Sequence, residues 1–151
     1  MNINYFEILK NNMIKVFKDV LKNIERNGLQ EGHCLYVTFY TSNEKAKIPN
    51  WLKKKYNNKM TVVIQHEYWN FKVKHKSFNI CLSFNDIKTD LEIPFDCVIS
   101  FADPYANFGL RLIQEEKEDN LKKTISKHYV KNKKGSIKEN NIIDFKKFKK
   151  N

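Results

Sequence analysis

The residues that could perform chemistry concentrate in the segment 60–73. It starts with β-branched residues, continues through Gln65 and His66, and ends in alternating aromatic and polar side chains. Residues 66–70 begin like the zinc-protease motif HExxH, but Asn70 stands where the second histidine ligand is required. That site also needs a helix, whereas the β-branched run predicts a strand. The segment therefore does not predict a zinc site.

The cysteines do not indicate catalytic or redox chemistry. Cys34, Cys81 and Cys97 are widely spaced and flanked by apolar residues, and no CxxC motif is present. An odd number of scattered thiols fits small buried side chains in a reducing compartment. Cys34 or Cys81 with a histidine could form a nucleophile and base, but no local signature joins them. The sequence has no glycine-rich phosphate loop. We therefore predict a protein that is not an enzyme and has no cofactor or metal.

A binding surface is the remaining possibility. Aromatic side chains surround Gln65 and His66 in the sequence, namely Trp51, Tyr68, Trp69 and Phe71. Apolar area combined with hydrogen-bonding side chains is typical of a groove that holds an extended peptide. The alternative is that the aromatic residues form core and Gln65 and His66 cap a strand. Periodicity alone leaves both interpretations open.

A helix is predicted over residues 4–27, with Gly28 as its C-terminal cap. Its apolar side chains recur at helical spacing and include Phe6, Leu9, Met13, Val16, Phe17 and Val20. Such a stripe either packs on its own domain or forms the seam of a homodimer.

The segments that follow predict a mainly β domain. Residues 34–41 alternate as a strand does, 48–56 have helical spacing, and Trp69, Phe71 and Val73 are expected to share one apolar face. Further short strands are expected at 61–66, 68–73, 78–84, 87–93, 95–101 and 108–112, and the first four of these are expected to form antiparallel hairpins. This spacing is typical of a sandwich or a barrel.

The formal net charge is +11, yet Arg26 and Arg111 are the only arginines. Arginine is preferred for bidentate phosphate and base contacts, so the excess lysine favours a compositional explanation over nucleic-acid binding. The chain has no run of about 18 apolar residues and no signal-peptide pattern at its first residues, so we expect a cytoplasmic protein without a membrane span.

The composition changes after Gln114. Residues 115–140 are charged and polar without a sustained period, which predicts disorder. We therefore divide the chain into a folded domain at 1–113, a flexible linker at 114–140 and a terminal segment at 141–151. That segment holds a small apolar cluster among lysines, made of Ile142, Ile143, Phe145 and Phe148.

Five blocks in one order resemble the alphaproteobacterial branch of the SspB (stringent starvation protein B) family. They are IPxWL at 48–52, MTVVIQHxxWxFxV at 60–73, LSFNxI at 82–87, IPF at 93–95, and FADP at 101–104 with FGL at 108–110. The resemblance implies an N-terminal helix with a small half-open, Sm-like β-barrel or a two-sheet antiparallel sandwich, usually dimeric.

The resemblance also implies a function. SspB proteins are adaptors that bind the ssrA tag, which trans-translation adds to stalled nascent chains, and deliver tagged proteins to the protease ClpXP. We expect Gln65 to hydrogen-bond the tag peptide as an extended segment. The groove around it is expected to be shaped by Ile48, Trp51, His66, Trp69 and Phe71.

The terminal segment fits the same family, whose members end in a linker and a short ClpX-docking motif. Here the motif is Ile142, Ile143, Phe145, Phe148 and Lys149, whereas relatives in this branch often carry an acidic residue in place of Lys146. The alternative function is a small β-barrel that binds single-stranded RNA by stacking bases on Trp51, Tyr68 or Trp69.

Overall fold

The computed structural model describes residues 2–113. The predicted linker, its disorder and the apolar cluster at 142–148 lie outside the described residues. Within them one long helix precedes seven strands and one short helix, which agrees with the predicted mainly β class. The elements are α1 (Tyr5–Asn27), β1 (Leu35–Tyr40), α2 (Asn50–Lys55), β2 (Lys59–Ile64), β3 (Tyr68–Val73), β4 (Ser77–Phe84), β5 (Ile87–Pro94), a 3₁₀ turn (Phe95–Cys97), β6 (Val98–Asp103) and β7 (Phe108–Arg111).

The strands form two antiparallel sheets that do not close into a barrel. Sheet A has the order β2-β1-β6-β7, and sheet B has the order β3-β4-β5. The sandwich alternative is therefore the one observed. The β4–β5 hairpin turns through Asn85 and Asp86, whose φ angles are 52° and 65°, as a tight two-residue turn requires.

The prediction that β2 and β3 form a hairpin is wrong. β2 pairs with β1 in sheet A, whereas β3 pairs with β4 in sheet B. Residues 65–67, which separate them, cross from one sheet to the other. Val62 and Ile64 of β2 enter the shared core from the side of sheet A.

Local hydrogen bonds fix both ends of α1. At its N-terminus the Asn4 side-chain oxygen accepts a hydrogen bond from the Glu7 backbone N–H at 3.1 Å. At its C-terminus the Gly28 N–H donates to the Ile24 carbonyl at 2.7 Å, with Gly28 at φ 73°, a conformation that favours glycine. The predicted cap is confirmed.

The core is centred on Phe17, which is fully buried. Its ring centroid lies 5.9 Å from that of Phe78 in sheet B, 6.0 Å from that of Phe95 in the 3₁₀ turn and 4.9 Å from that of Phe101 in sheet A. One helical side chain therefore contacts both sheets and the turn that joins them.

The α1 residues predicted for a dimer seam differ in burial. Met13 and Phe17 are buried in the chain's own core, while Phe6 and Val20 are half-buried. Leu9 and Val16 are 44% and 41% exposed, and Tyr5 and Ile8 beside them are exposed too.

Among residues 2–113, no helix is both long and apolar enough to cross a membrane.

The segment before α2 is held to the edge of β5. Lys47 and Glu92 exchange two backbone hydrogen bonds of 2.9 and 3.0 Å. The Glu92 carboxylate also accepts a 3.0 Å hydrogen bond from the Ser77 hydroxyl and lies 3.5 Å from the Lys74 ammonium. This hydrogen bond and the nearby lysines lower the pKa of Glu92. Ile48 and α2 follow directly, so this contact determines where α2 begins.

Two leucines on α1 test the orientation of the helix. Leu21 is fully buried and Leu9 is 44% exposed, so the same substitution removes very different contacts. Leu21→Ala is expected to lower the free energy of unfolding by about 2–5 kcal/mol because it leaves a cavity. Leu9→Ala is expected to change it by about 0.5 kcal/mol or less. Urea denaturation followed by circular dichroism measures both, and equal losses would contradict this orientation.

Candidate peptide-binding groove

The crossing between the sheets carries the polar pair singled out in the sequence. β2 ends at Ile64 and β3 begins at Tyr68, so Gln65 and His66 lie in the connection rather than within a strand. Gln65 is half-buried and His66 is exposed. Their side chains therefore stand where the two sheets separate.

A groove of about 590 Å³ opens beside this connection, and we call it the β2 groove. β2 forms one wall and the last residues of β4 form the other, with the 65–67 connection at one end and Tyr56 also in its lining. The lining residues are Tyr56, Thr61, Val62, Val63, Gln65, His66, Glu67, Leu82, Ser83 and Phe84. Its size lies within the range of ligand-binding clefts.

Both walls of the β2 groove present strand edges. β2 is the outer strand of sheet A and, within residues 2–113, pairs only with β1. On the other wall, Leu82 pairs with Tyr68 of β3, but Ser83 and Phe84 pair only with β5. Unpaired backbone N–H and C=O groups at a strand edge can bind an extended peptide by strand addition.

A second cavity of about 470 Å³ lies on the other side of the polar pair. It is lined by Gln65 and His66 together with Tyr68, His33 and the loop after α1. The polar pair thus borders two adjoining cavities. Gln65 and His66 are the lining residues that the two cavities share.

The prediction that Trp69, Phe71 and Val73 share one face is wrong. Trp69 pairs with Cys81 and Lys72 with Asn79, so three steps along β3 oppose two along β4, which is a β-bulge. Asn70 within it has φ 53°, in the left-handed region. Because the bulge adds one residue, it places Trp69 and Phe71 on opposite faces of sheet B.

Trp69 and Phe71 accordingly have different surroundings. The Phe71 ring packs edge-on against Phe78 and Tyr68 at centroid distances of 6.2 and 5.9 Å, on the core side. On the outer face, the Lys88 ammonium lies 4.2 Å from the Trp69 ring centroid, a cation–π contact. Neither side chain is among those that line the β2 groove.

The two predicted site residues near α2, Ile48 and Trp51, also have different surroundings. Ile48 is 9% exposed and belongs to the core, and it is not among the residues that line the β2 groove. Trp51 is 39% exposed, and its ring lies edge-on to Phe84 at a centroid distance of 6.4 Å. Trp51 therefore extends the wall that Phe84 forms.

Several residues of the β2 groove were missed at the level of sequence. Ser83 and Phe84 close the clearest alternating segment of the chain, and Tyr56 ends the helical segment before β2. Their position at the ends of elements was the available signal. It did not show that these ends meet across a groove, because that depends on the crossing at 65–67.

The three aromatic residues considered for RNA stacking do not share a face. Tyr68 pairs with Leu82 on the core side of sheet B, whereas Trp69 pairs with Cys81 on the outer side. Trp51 lies on α2 against Phe84. A continuous stacking platform requires successive bases to meet rings on one surface. This arrangement does not favour the RNA-binding alternative.

The thiols are poorly suited to nucleophilic chemistry. Burial raises the pKa of Cys97 to about 12, and its thiol donates to the Pro94 carbonyl at 3.2 Å. Burial also raises the pKa values of Cys34 and Cys81. His33, next to Cys34, bonds the Asp103 carboxylate at 2.7 Å instead. Within residues 2–113, no group of three or more His, Cys, Asp or Glu side chains is arranged to bind a metal.

One protein-family model matches the chain over residues 8–147. Its description is SspB, Stringent starvation protein B. The matched range includes most of α1, both sheets and most of the residues beyond 113. No curated protein matches the chain.

Asn70 tests the bulge that separates Trp69 from Phe71. A β-branched residue is strained at φ 53°, so Asn70→Val is expected to lower the free energy of unfolding by about 1–2 kcal/mol. Asn70→Gly is expected to change it little, because glycine adopts this conformation without steric cost. Urea denaturation measures both variants.

The control for this test is Lys72→Val on the same strand. Lys72 is exposed and is not among the residues with positive φ. We expect it to tolerate valine, which has a high strand propensity. If Asn70→Val were as stable as Lys72→Val, the bulge would not be where the structure places it.

Proposed function

Because the chain belongs to the SspB (stringent starvation protein B) family, we propose that it is an adaptor that binds the ssrA tag and delivers tagged proteins to the ClpXP protease. Family membership supports the protease-adaptor role. The observation that carries the choice of site is the free edge of β2 beside Gln65. The proposal does not require the chain to cleave anything.

The proposed binding mode is strand addition. The tag lies in the β2 groove as an extended segment and pairs its backbone with β2, which provides affinity with little regard to sequence. Alternate tag side chains then point between the sheets, towards Leu82 and Phe84, and supply the sequence preference. Gln65 donates or accepts a hydrogen bond at the end of the groove.

Delivery depends on the residues beyond the domain. We propose that residues 141–151 bind ClpX and that residues 114–140 act as the tether. A flexible tether of 27 residues has a typical reach of about 30 Å. Tethering raises the local concentration of the bound substrate to about the millimolar range, so two weak contacts suffice.

We also propose that the chain forms a homodimer through α1. The exposed apolar side chains on its first turns, Tyr5, Ile8 and Leu9, are available for a contact with a second copy. Of the residues suggested by the helical stripe, Leu9 lies within this surface. Such a dimer presents two tails to the unfoldase.

Gln65→Ala is expected to weaken tag binding about tenfold, because one hydrogen bond to the peptide, worth about 1.4 kcal/mol, is lost. Fluorescence anisotropy with a labelled ssrA peptide measures this, with circular dichroism as the check on folding. Asn12→Ala is the control, since it removes an exposed amide of α1 that bonds the Ile8 carbonyl at 2.8 Å.

The same titration with singly N-methylated peptides tests strand addition. Each methyl group removes one backbone donor, so affinity is expected to fall at every second tag position.

Two outcomes would contradict these predictions. Unchanged affinity of Gln65→Ala would remove Gln65 from the site. Losses without a period of two would overturn strand addition to β2.

Deleting residues 141–151 is expected to leave the tag affinity unchanged and to abolish the stimulation of ClpXP, because the substrate site and the docking segment are separate. Degradation of a tagged fluorescent protein measures the stimulation. A control chain with Lys131→Ser and Lys133→Ser keeps the docking segment and is expected to stimulate normally. Full stimulation by the truncated chain would contradict the proposed docking role of residues 141–151.

A further inference from the structure

A third groove, larger than the β2 groove, adjoins the 470 Å³ cavity, with which it shares Gly28, Leu29, Gln30 and His33. We call it the α1–β7 groove. It has a volume of about 780 Å³ and runs between the C-terminal half of α1 and the turn that joins β6 to β7. Its apolar surface comes from Val16, Val20 and Ile24 on α1 and from Phe101 and Phe108 on the hairpin.

This apolar surface is open to solvent rather than closed by packing. Val16 is 41% exposed and Phe108 is 46% exposed, whereas Phe101 beneath them is buried and lies 6.0 Å from Phe108 between ring centroids. Exposed apolar surface that lines a groove is typical of a binding site. Its size is sufficient for several large apolar side chains.

The charges of the α1–β7 groove are opposite to those of the chain as a whole. Asp19 and Asp103 are the lining residues with a formal charge, in a chain with 28 lysines and arginines against 17 acidic residues. His33 bonds one oxygen of Asp103, and the other oxygen accepts from the Ala106 N–H at 3.2 Å. The groove therefore combines apolar surface with carboxylates, which complements a segment that is both apolar and basic.

Residues 141–151 have this composition. Ile142, Ile143, Phe145 and Phe148 supply apolar side chains, and four lysines stand among and after them against one aspartate. No other segment of the chain outside residues 2–113 combines two phenylalanines with lysines.

The connection is long enough. The chain leaves sheet A after β7, where the Ile113 N–H bonds the Ile99 carbonyl at 3.1 Å. Pairing of Asp103 with Phe108 and of Ser100 with Arg111 puts the groove at the opposite end of the same hairpin. From Leu112 to Phe108 the strand covers about 13 Å at the usual rise per residue. The 27 residues at 114–140 reach about 30 Å.

We infer that residues 141–151 dock into the α1–β7 groove of their own chain. The apolar side chains cover Val16, Val20 and Phe108, and the lysines lie near Asp19 and Asp103. The regulatory consequence rests on the proposed function: a segment held in the groove is not free to bind the unfoldase. Self-docking then keeps the adaptor in a resting state, and the unfoldase must compete with the groove for the tail.

Methyl NMR of the full chain tests the docking directly. Replacing Ile142, Phe145 and Phe148 together by serine removes the aromatic rings and the apolar anchor. The methyl resonances of Val16 and Val20 are expected to shift, since ring currents act only at close range. Val63 and Ile87 serve as controls, because they are exposed apolar residues that do not line this groove. Unmoved Val16 and Val20 resonances would overturn the inference.

A charge reversal gives the second arm. Asp19→Lys is expected to release the tail. In this variant the Val16 and Val20 methyl resonances then move towards their positions in the serine variant. Added salt is expected to move the same resonances of the natural chain in the same direction. Glu44→Lys, which makes the same change of charge in an exposed loop, is the matched control. Equal effects of the two variants would exclude Asp19 as a docking contact and overturn the model.

Protein concentration separates the possible occupants. Perturbations that are the same at concentrations below and above the one at which light scattering detects a homodimer support docking within one chain. Perturbations that grow with concentration assign the groove to a second copy and overturn the intrachain assignment.

The degradation assay tests the regulatory consequence. Asp19→Lys is expected to lower the adaptor concentration needed for half-maximal stimulation of ClpXP about two- to fivefold, as the loss of a modest charge contact predicts. An unchanged value would overturn the regulatory consequence. If the NMR perturbations are seen but the truncated chain still stimulates fully, the proposed function fails while the docking stands.

Discussion

The fold depends on the contact of Phe17 with both sheets. Its ring packs against Phe78 of sheet B, Phe101 of sheet A and Phe95 in the turn between β5 and β6. A sheet with one apolar face must bury that face. Neither the four-stranded sheet A nor the three-stranded sheet B is closed on itself. The helix supplies the missing apolar surface. Because Phe17 fixes α1 against both sheets, it also fixes which strand edges remain open.

Two irregular features shape the surface of this scaffold. The crossing at 65–67 leaves β2 at the edge of sheet A, and the bulge at Asn70 turns Trp69 away from the core while Phe71 stays in it. An open strand edge is normally a risk for aggregation, and proteins cover or interrupt such edges. Here Gln65, His66 and Glu67 stand at the end of the open edge. These hydrogen-bonding side chains are the ones that the proposed strand addition would use.

An adaptor requires surfaces that work independently. The β2 groove and the α1–β7 groove have separate lining residues, and α1 contributes to the second but not to the first. Under the two proposals made above, a substrate binds at one groove while the tail docks at the other or leaves it. Because the tail is basic and the second groove is acidic, an electrostatic contact of modest strength can hold the tail without making its release slow.

The sequence by itself determined the element types and the family. The helical stripe of α1, the Gly28 cap, the alternation of β4 and the turn at Asn85 and Asp86 are local patterns, and local sterics and hydrogen bonds suffice to specify them. Gln65 stood out for the same reason, as a polar residue beside a β-branched run. The tertiary structure decided which strands pair, that β2 and β3 part, and that Trp69 lies opposite Phe71. These outcomes depend on which faces are buried by residues far away in the sequence, such as Phe17 and Phe101, and one extra residue in β3 reverses the face of every side chain beyond it.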